Sequence, residues 1–277
     1  MELPPRCINL YDPAGWRRIR RHMSGLIPRC EWDAASSIPA DKIYEDSLAE
    51  LLPSYEILRT GLRDYIEREE LSFLGIHCCR PLTFDGYYSE GFSPLSEGHA
   101  RRLVAEYGNR RLNESEVNEI VRALDLGCRR DVIMFAVGFP EDVDDHSKHY
   151  LLIGPEFFCE ILNDRQVSEN LRSKFRDEFR RSVSEATPTV FIVAVPYGTM
   201  SDRGKDWVVD QLVVGHLWLK SVKPIRSKDW PREMSMECSG VVPPSAIIGH
   251  IHPVELVDHM YGRRVVRGHK TTCSYCK

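Results

Sequence analysis

The sequence has no apolar run that approaches the ~20 residues needed to cross a bilayer as a helix. Its N-terminus, Met1-Glu-Leu-Pro-Pro5, lacks the basic stretch followed by an apolar one that marks a secretory leader. No membrane partner is therefore expected, and the chain reads as cytoplasmic. An excess of charge of either sign is also missing. Lys and Arg number 37 against 41 Asp and Glu, for a net charge of −4 and a pI of about 6.2. That balance excludes a global electrostatic pull toward nucleic acid or anionic lipid and leaves partners to be argued from local sites. There is no internal repeat, low-complexity tract or glycine-rich phosphate loop. A disulfide framework is lacking too. The nine cysteines, at 7, 30, 78, 79, 128, 159, 238, 273 and 276, are odd in number and keep no framework spacing, which fits a reducing compartment.

What is present is ordinary globular material, 42% hydrophobic and 28% charged over 277 residues, enough for a substantial core. Residues 1 to about 70 read as a helical appendage. Tyr44, Leu48, Leu51, Leu52, Tyr55, Leu58, Leu62, Tyr65 and Ile66 recur at helical spacing, with Pro53 opening a second helix. The first convincing strand is Ser72 to His77. Helices are predicted to open at Ser96 and at Asn113, where Glu116 completes a capping box. Strands are predicted at 131–139 and 189–195, the latter uniformly apolar and β-branched and hence interior. A long helix is expected from Pro155 to about Glu185, with Phe175 and Phe179 facing the core. Residues 207–219 fit strand or helix, and short strands are expected at 234–242 and 246–251. The order points to an α+β fold with a split, antiparallel-rich sheet. The expected domains are an N-terminal appendage 1–70, a catalytic domain 71–253 and a C-terminal tail 254–277.

One stretch stands out. The buried strand Phe73-Leu-Gly-Ile ends in His77-Cys78-Cys79-Arg80. A short helix follows, Tyr87-Tyr-Ser-Glu-Gly91, closed by glycine and leading into Phe92. A strand end that passes straight into a short helix makes a ligand-binding corner. Two further segments carry chemistry, Val132 to Phe139 with Tyr150 beyond it, and Glu233-Met-Ser-Met-Glu237 ahead of Pro243-Pro-Ser-Ala-Ile-Ile-Gly249.

Together these segments resemble the ADP-ribosyltransferase superfamily, on the side of the poly(ADP-ribose) polymerases and diphtheria toxin. The likeness spans roughly residues 72 to 252. It implies an NAD-dependent transferase acting on a macromolecular acceptor, protein or nucleic acid, as in a toxin, effector or defence enzyme. It implies that His77 hydrogen-bonds a hydroxyl of the nicotinamide-side ribose and that the backbone of Cys78 holds the carboxamide. Cys78 and Cys79 stand where the family has glycine and threonine. Phe135 and Tyr150 match the aromatic residues that flank the nicotinamide, and core packing is the alternative for both. Glu233 matches the catalytic position. Glu237, four residues on, faces the same side of a strand and is the second candidate. Arg80, one residue past the triplet, is placed either to clamp the pyrophosphate bidentately or on the surface. Glu156 is a third acid, explained already by a helix N-terminus.

These residue types suit the reaction. Cleaving the nicotinamide–ribose bond builds an oxocarbenium-like centre while the ring leaves neutral, so one carboxylate beside the ribose suffices. An aromatic wall fixes the departing ring without adding charge. The enzymatic alternative is an RNA 2'-phosphotransferase-like NAD consumer, and the non-enzymatic one is an inactive binding module of the same fold. His250-x-His252 and His269-x-x-x-Cys273-x-x-Cys276 have zinc-like spacings. A single Cys-x-x-Cys at a chain end is half of a structural site, so no metal site is expected and the tail reads as frayed. His250 could instead line the pocket. Trp16-Arg-Arg-Ile-Arg-Arg-His22 is the one dense basic cluster, a solvated helix face or a phosphate-contacting segment.

Overall fold

The computed structural model describes residues 2–108, 111–123, 132–141, 151, 158, 166–225, 230, 235–253, 255–258, 263–266, 273 and 275. Strand β1 (Cys7–Ile8) leads to α1 (Arg17–Met23), α2 (Arg29–Ser36), α3 (Leu48–Leu51), α4 (Tyr55–Arg68) and β2 (Ser72–Cys79). Next come α5 (Asp85–Glu90), α6 (Glu97–Tyr107), α7 (Glu114–Ala123), β3 (Ile133–Val137), α8 (Glu169–Glu185) and β4 (Thr189–Pro196). The chain continues through α9 (Asp202–Lys220), β5 (Ser235–Cys238), β6 (Ile247–Ile251), β7 (Glu255–Asp258) and β8 (Arg263–Val266).

With 51% helix and 17% strand the protein is mixed α/β, built on an open six-stranded sheet. The strand order is β5-β3-β2-β4-β6, and β1 runs parallel along β2. β2 and β3 are antiparallel, Gly75 facing Val137 and Ile76 facing Ala136. β4 lies between β2 and β6, interior as its apolar run requires, although β2 holds the middle of the order.

Local signals set several boundaries. Ser96 accepts a hydrogen bond from the His99 amide and starts α6. Asn113 and Glu116 exchange the two bonds of a capping box at the start of α7. The ambiguous stretch 207–219 is helical. Ser201 caps it by accepting from the Gly204 amide, and Val208, Val209, Leu212, Val213, Val214 and Leu217 are all buried. Within 207–219 only Asp210, Gln211 and His216 are polar, so the apolar positions show little period and the β-branched residues read equally well as strand. The tail is not wholly frayed, because residues 255–258 pair antiparallel with 263–266. Among the described residues no helix is long and apolar enough to cross a membrane, and no disulfide is present.

The chain divides into two compact units: Met1–Ile76 with Met134–Val143 and Val193–Gly240, and His77–Ile133 with Asp144–Ile192 and Val241–Lys277. This division does not fall at the expected 70/71 boundary. The N-terminal helices are completed by α9, so they are no appendage. Tyr55, Leu58, Leu62 and Ile66 form the buried face of α4, while its polar edge meets three aspartates of α9. Arg59 pairs with Asp206 at 2.6 Å, Arg63 with Asp206 at 2.9 Å and Asp202 at 3.4 Å, and the Tyr55 hydroxyl bonds Asp210. Partial burial makes such a network worth more than isolated surface pairs. Trp16 of the basic cluster is 1% exposed, with its ring 6.4 Å from Trp230, and His22 stacks on Tyr65 at 4.2 Å. That tryptophan is core, unavailable to a nucleic-acid partner. The second unit has its own core, in which Tyr107, Ile120, Phe158, Phe175 and Phe179 join α6, α7 and α8.

His216 on α9 is 3% exposed, has neither ring nitrogen hydrogen-bonded, and sits edge-on to Trp32 at 4.8 Å. Burial, helped by Lys220 and Arg20, pushes its imidazole down to about 3 from 6.5. Unfolding therefore takes up a proton between those values, and stability present above pH 6.5 is lost on acidification. His216→Leu should remove this dependence. Urea denaturation from pH 6.5 downward should show wild type losing stability relative to the variant by about 1.4 kcal/mol per pH unit. The difference isolates His216 from Asp210, whose carboxyl burial raises to about 6 and which acts in the opposite sense.

Candidate functional site

In the second unit, β2 alternates at its end. His77 and Cys79 lie half-buried on one side and Cys78 is buried on the other. Pro81 halts the strand, and α5 is short because Gly91 closes it in the left-handed region, at φ +79°. A side chain at Gly91 would also put its Cβ 2.1 Å from the Val242 carbonyl oxygen. The approach is that close because Phe92 and Val242 exchange backbone hydrogen bonds, at 2.8 and 2.9 Å, fastening the corner to the segment ahead of β6. Gly91→Ala should cost at least about 2 kcal/mol through both strain and clash. Chemical denaturation of the variant measures it, with the midpoint falling at unchanged slope.

Aromatic rings fill this corner. The His77 imidazole meets Phe92 edge-on at 5.1 Å, and Phe92 meets Phe191 of β4 at 5.4 Å. Tyr87 stacks on Phe191 at 4.7 Å and hydrogen-bonds Cys79. Burial pushes both the Cys79 thiol and the Tyr87 hydroxyl up, so both stay protonated and Cys79 is no thiolate nucleophile. Phe84 stacks over His250 at 5.6 Å and stands edge-on to His252 at 5.4 Å.

Arg80 does not reach a surface pyrophosphate. It is fully buried, its Nε donating to the Ala186 carbonyl at 3.1 Å and its Nη1 to the Leu151 carbonyl at 3.2 Å. Main-chain carbonyls compensate the buried guanidinium, and Tyr107 in turn donates to the carbonyl of Arg80.

Two predicted site residues belong to the first unit. Phe135 is fully buried on β3, its Cβ set against Gly75, which leaves its ring no face for a ligand. Glu237 on β5 is half-buried and accepts from Ser201 Oγ at 2.6 Å, while its carbonyl accepts from the Ser201 amide at 3.0 Å. Ser201 is the N-cap of α9, so this carboxylate sits where the helix dipole favours an anion. A Cβ on Gly204 would come 2.2 Å from the Glu237 carbonyl oxygen, so strand and helix are pressed together there. Glu233, Tyr150 and Glu156 lie outside the described residues.

A second constellation in the second unit was not expected. His250, His252 and Cys273 each bring a donor atom within 4.8 Å of the others. Cys273 Sγ is 3.3 Å from His250 Nε2, and His250 Nδ1 bonds the Tyr88 hydroxyl at 2.5 Å. His252 Nδ1 lies 3.3 Å from the Pro188 carbonyl and 3.1 Å from Thr189 Oγ1, while its Nε2 is buried with no hydrogen-bond partner. An orphan of that kind costs about 1–3 kcal/mol unless something occupies it. Burial pushes both imidazoles down, His250 further through its neighbour, which keeps them in the neutral, ligating form. The His-x-His and Cys-x-x-Cys spacings were the sequence signal for this cluster. The missing information was that the chain returns over 21 residues to bring Cys273 beside the histidines.

A polar, open groove of about 550 Å³ runs along α7, lined by Glu114, Asn118, Glu119, Arg122 and Gln166. The described residues that line it include none of the site residues above and no aromatic side chain. Comparison with protein-family models, curated protein sequences and solved structures returns no match.

Proposed function

We propose that the chain is an NAD-dependent ADP-ribosyltransferase whose nicotinamide end lies at the β2–α5 corner. The observation that carries the reading is the half-buried imidazole of His77 at the strand end, edge-on to Phe92 at 5.1 Å across a helix closed by left-handed Gly91. Strand, histidine, short helix and aromatic residue follow one another in the order the family resemblance requires.

In this reading His77 steadies a hydroxyl of the nicotinamide-side ribose and the backbone at Cys78 holds the carboxamide. Tyr150 flanks the ring, while buried Phe92 packs edge-on against the His77 imidazole and sets its orientation. Arg80 organises the corner from within. By the family resemblance Glu233 is the carboxylate that favours the cationic ribose, and Glu237, which accepts from Ser201 at the start of α9, is the second candidate. The interaction of Glu233 strengthens as positive charge develops, so it favours the transition state over bound NAD. The acceptor is a macromolecule, and in its absence water takes the ADP-ribosyl group.

The test is release of nicotinamide from labelled NAD, with and without cell lysate as acceptor source. Glu233→Gln should lower turnover by about 10²–10³-fold with little change in NAD affinity, whereas Glu237→Gln should mainly lower stability. His77→Ala should weaken both turnover and KM. Loss of transfer in Glu237→Gln alone would reassign the carboxylate. NAD bound without turnover would mark a binding module.

A further inference from the structure

We infer that His250, His252 and Cys273 form a zinc site that fastens Cys273 and Tyr275 onto the α5 corner. The inference stands apart from the NAD reading, since it uses different side chains and is read out without NAD.

Strand periodicity starts the argument. Residues two apart on a strand face the same way, so β6 delivers His250 and the following His252 to one side, with ring centroids 4.8 Å apart. Cys273, 21 residues on, brings its sulfur to the same place. With zinc–nitrogen bonds of about 2.0–2.1 Å and zinc–sulfur of about 2.3 Å, tetrahedral ligand atoms stand roughly 3.3–3.6 Å apart. Sγ to His250 Nε2 is 3.3 Å, and all three residues present donor atoms within 4.8 Å, so a small inward shift accommodates the ion.

The surrounding groups prepare the imidazoles for a metal. A carbonyl only accepts, so the contact of His252 Nδ1 with Pro188 puts the proton on Nδ1 and the lone pair on the buried, unpartnered Nε2. Tyr88 orients the His250 ring, and with its hydroxyl accepting from Nδ1–H the lone pair lies on Nε2. That nitrogen is the one beside the sulfur. Phe84 covers both rings and dries the site. Two imidazoles and a thiolate suit zinc rather than calcium or magnesium, which require oxygen ligands. The fourth position takes water or one further donor.

Tyr275 shows what the ion would secure. Its ring stacks on Tyr88 at 4.2 Å and 14°, and its hydroxyl donates to Asp85 Oδ1 at 2.7 Å. Both partners are on α5. The ion ties Cys273 to the β6 histidines and so secures Tyr275, two residues on, against α5.

The experiment uses the full chain, loaded with zinc and dialysed, with metal content measured by mass spectrometry and affinity by competition with a chromophoric chelator. One zinc per chain is expected. Cobalt(II) in its place should give the intense visible bands of a tetrahedral ion with thiolate-to-metal charge transfer. Cys273→Ser should abolish that charge transfer, and both it and His252→Gln should weaken zinc binding at least about a hundredfold. Cys30→Ser, at an exposed cysteine of α2, should change neither. Circular dichroism of each variant separates metal loss from unfolding, and the wild-type cobalt spectrum needs no variant at all. Substoichiometric zinc in wild type, a cobalt spectrum without thiolate charge transfer, or full zinc retention by folded Cys273→Ser and His252→Gln would overturn the site.

Discussion

The left-handed turn at Gly91 is the constraint on which the second unit's chemistry depends. Only a residue without a side chain both adopts this backbone and lets the chain pass within van der Waals contact of the Val242 carbonyl. That passage lets Phe92 and Val242 pair, which fixes where the chain re-enters ahead of β6. His250 and His252 therefore arrive beside α5, and Phe92 arrives beside His77. One small residue thus holds the two constellations of this unit in register.

Ring packing, rather than charge, organises the corner between those constellations. Tyr87, Phe92 and Phe191 surround the strand end, and Phe84 and Tyr88 carry the same layer to the histidine pair. In this apolar setting thiol, phenol and imidazole all stay neutral, so hydrogen bonds and ligation are the interactions open to them. Among the described residues Arg80 is the one Lys or Arg buried inside the unit, and two main-chain carbonyls accept from it there. The first unit is held differently, by the apolar seam of α4 and α9 edged with arginine and aspartate.

Elements with strong local codes were legible from residues alone. Ser96 and the Asn113–Glu116 box marked two helix starts, Gly91 marked a helix end, and the apolar run at 189–195 marked an interior strand. The site was less legible. His77 was found because a strand stops there, yet Arg80 and Phe135 were given ligand-facing parts that burial denies them. Exposure is set by what packs against a residue, and those neighbours come from far along the chain: Ala186 and Leu151 for Arg80, Gly75 for Phe135. The N-terminal helices misled in the same way, their partner α9 lying more than 100 residues away.

By itself the sequence determined the starts of α6 and α7, the end of α5 and that the fold mixes helix and strand, because capping and backbone sterics act over a few residues, whereas the helix expected from Pro155 starts only at Glu169. Tertiary structure decided which unit completes the N-terminal helices, which polar groups go inside, and that Cys273 meets the two histidines. Those outcomes are non-local: they depend on burial and donor–acceptor pairing among segments that only a closed fold brings within a few ångströms.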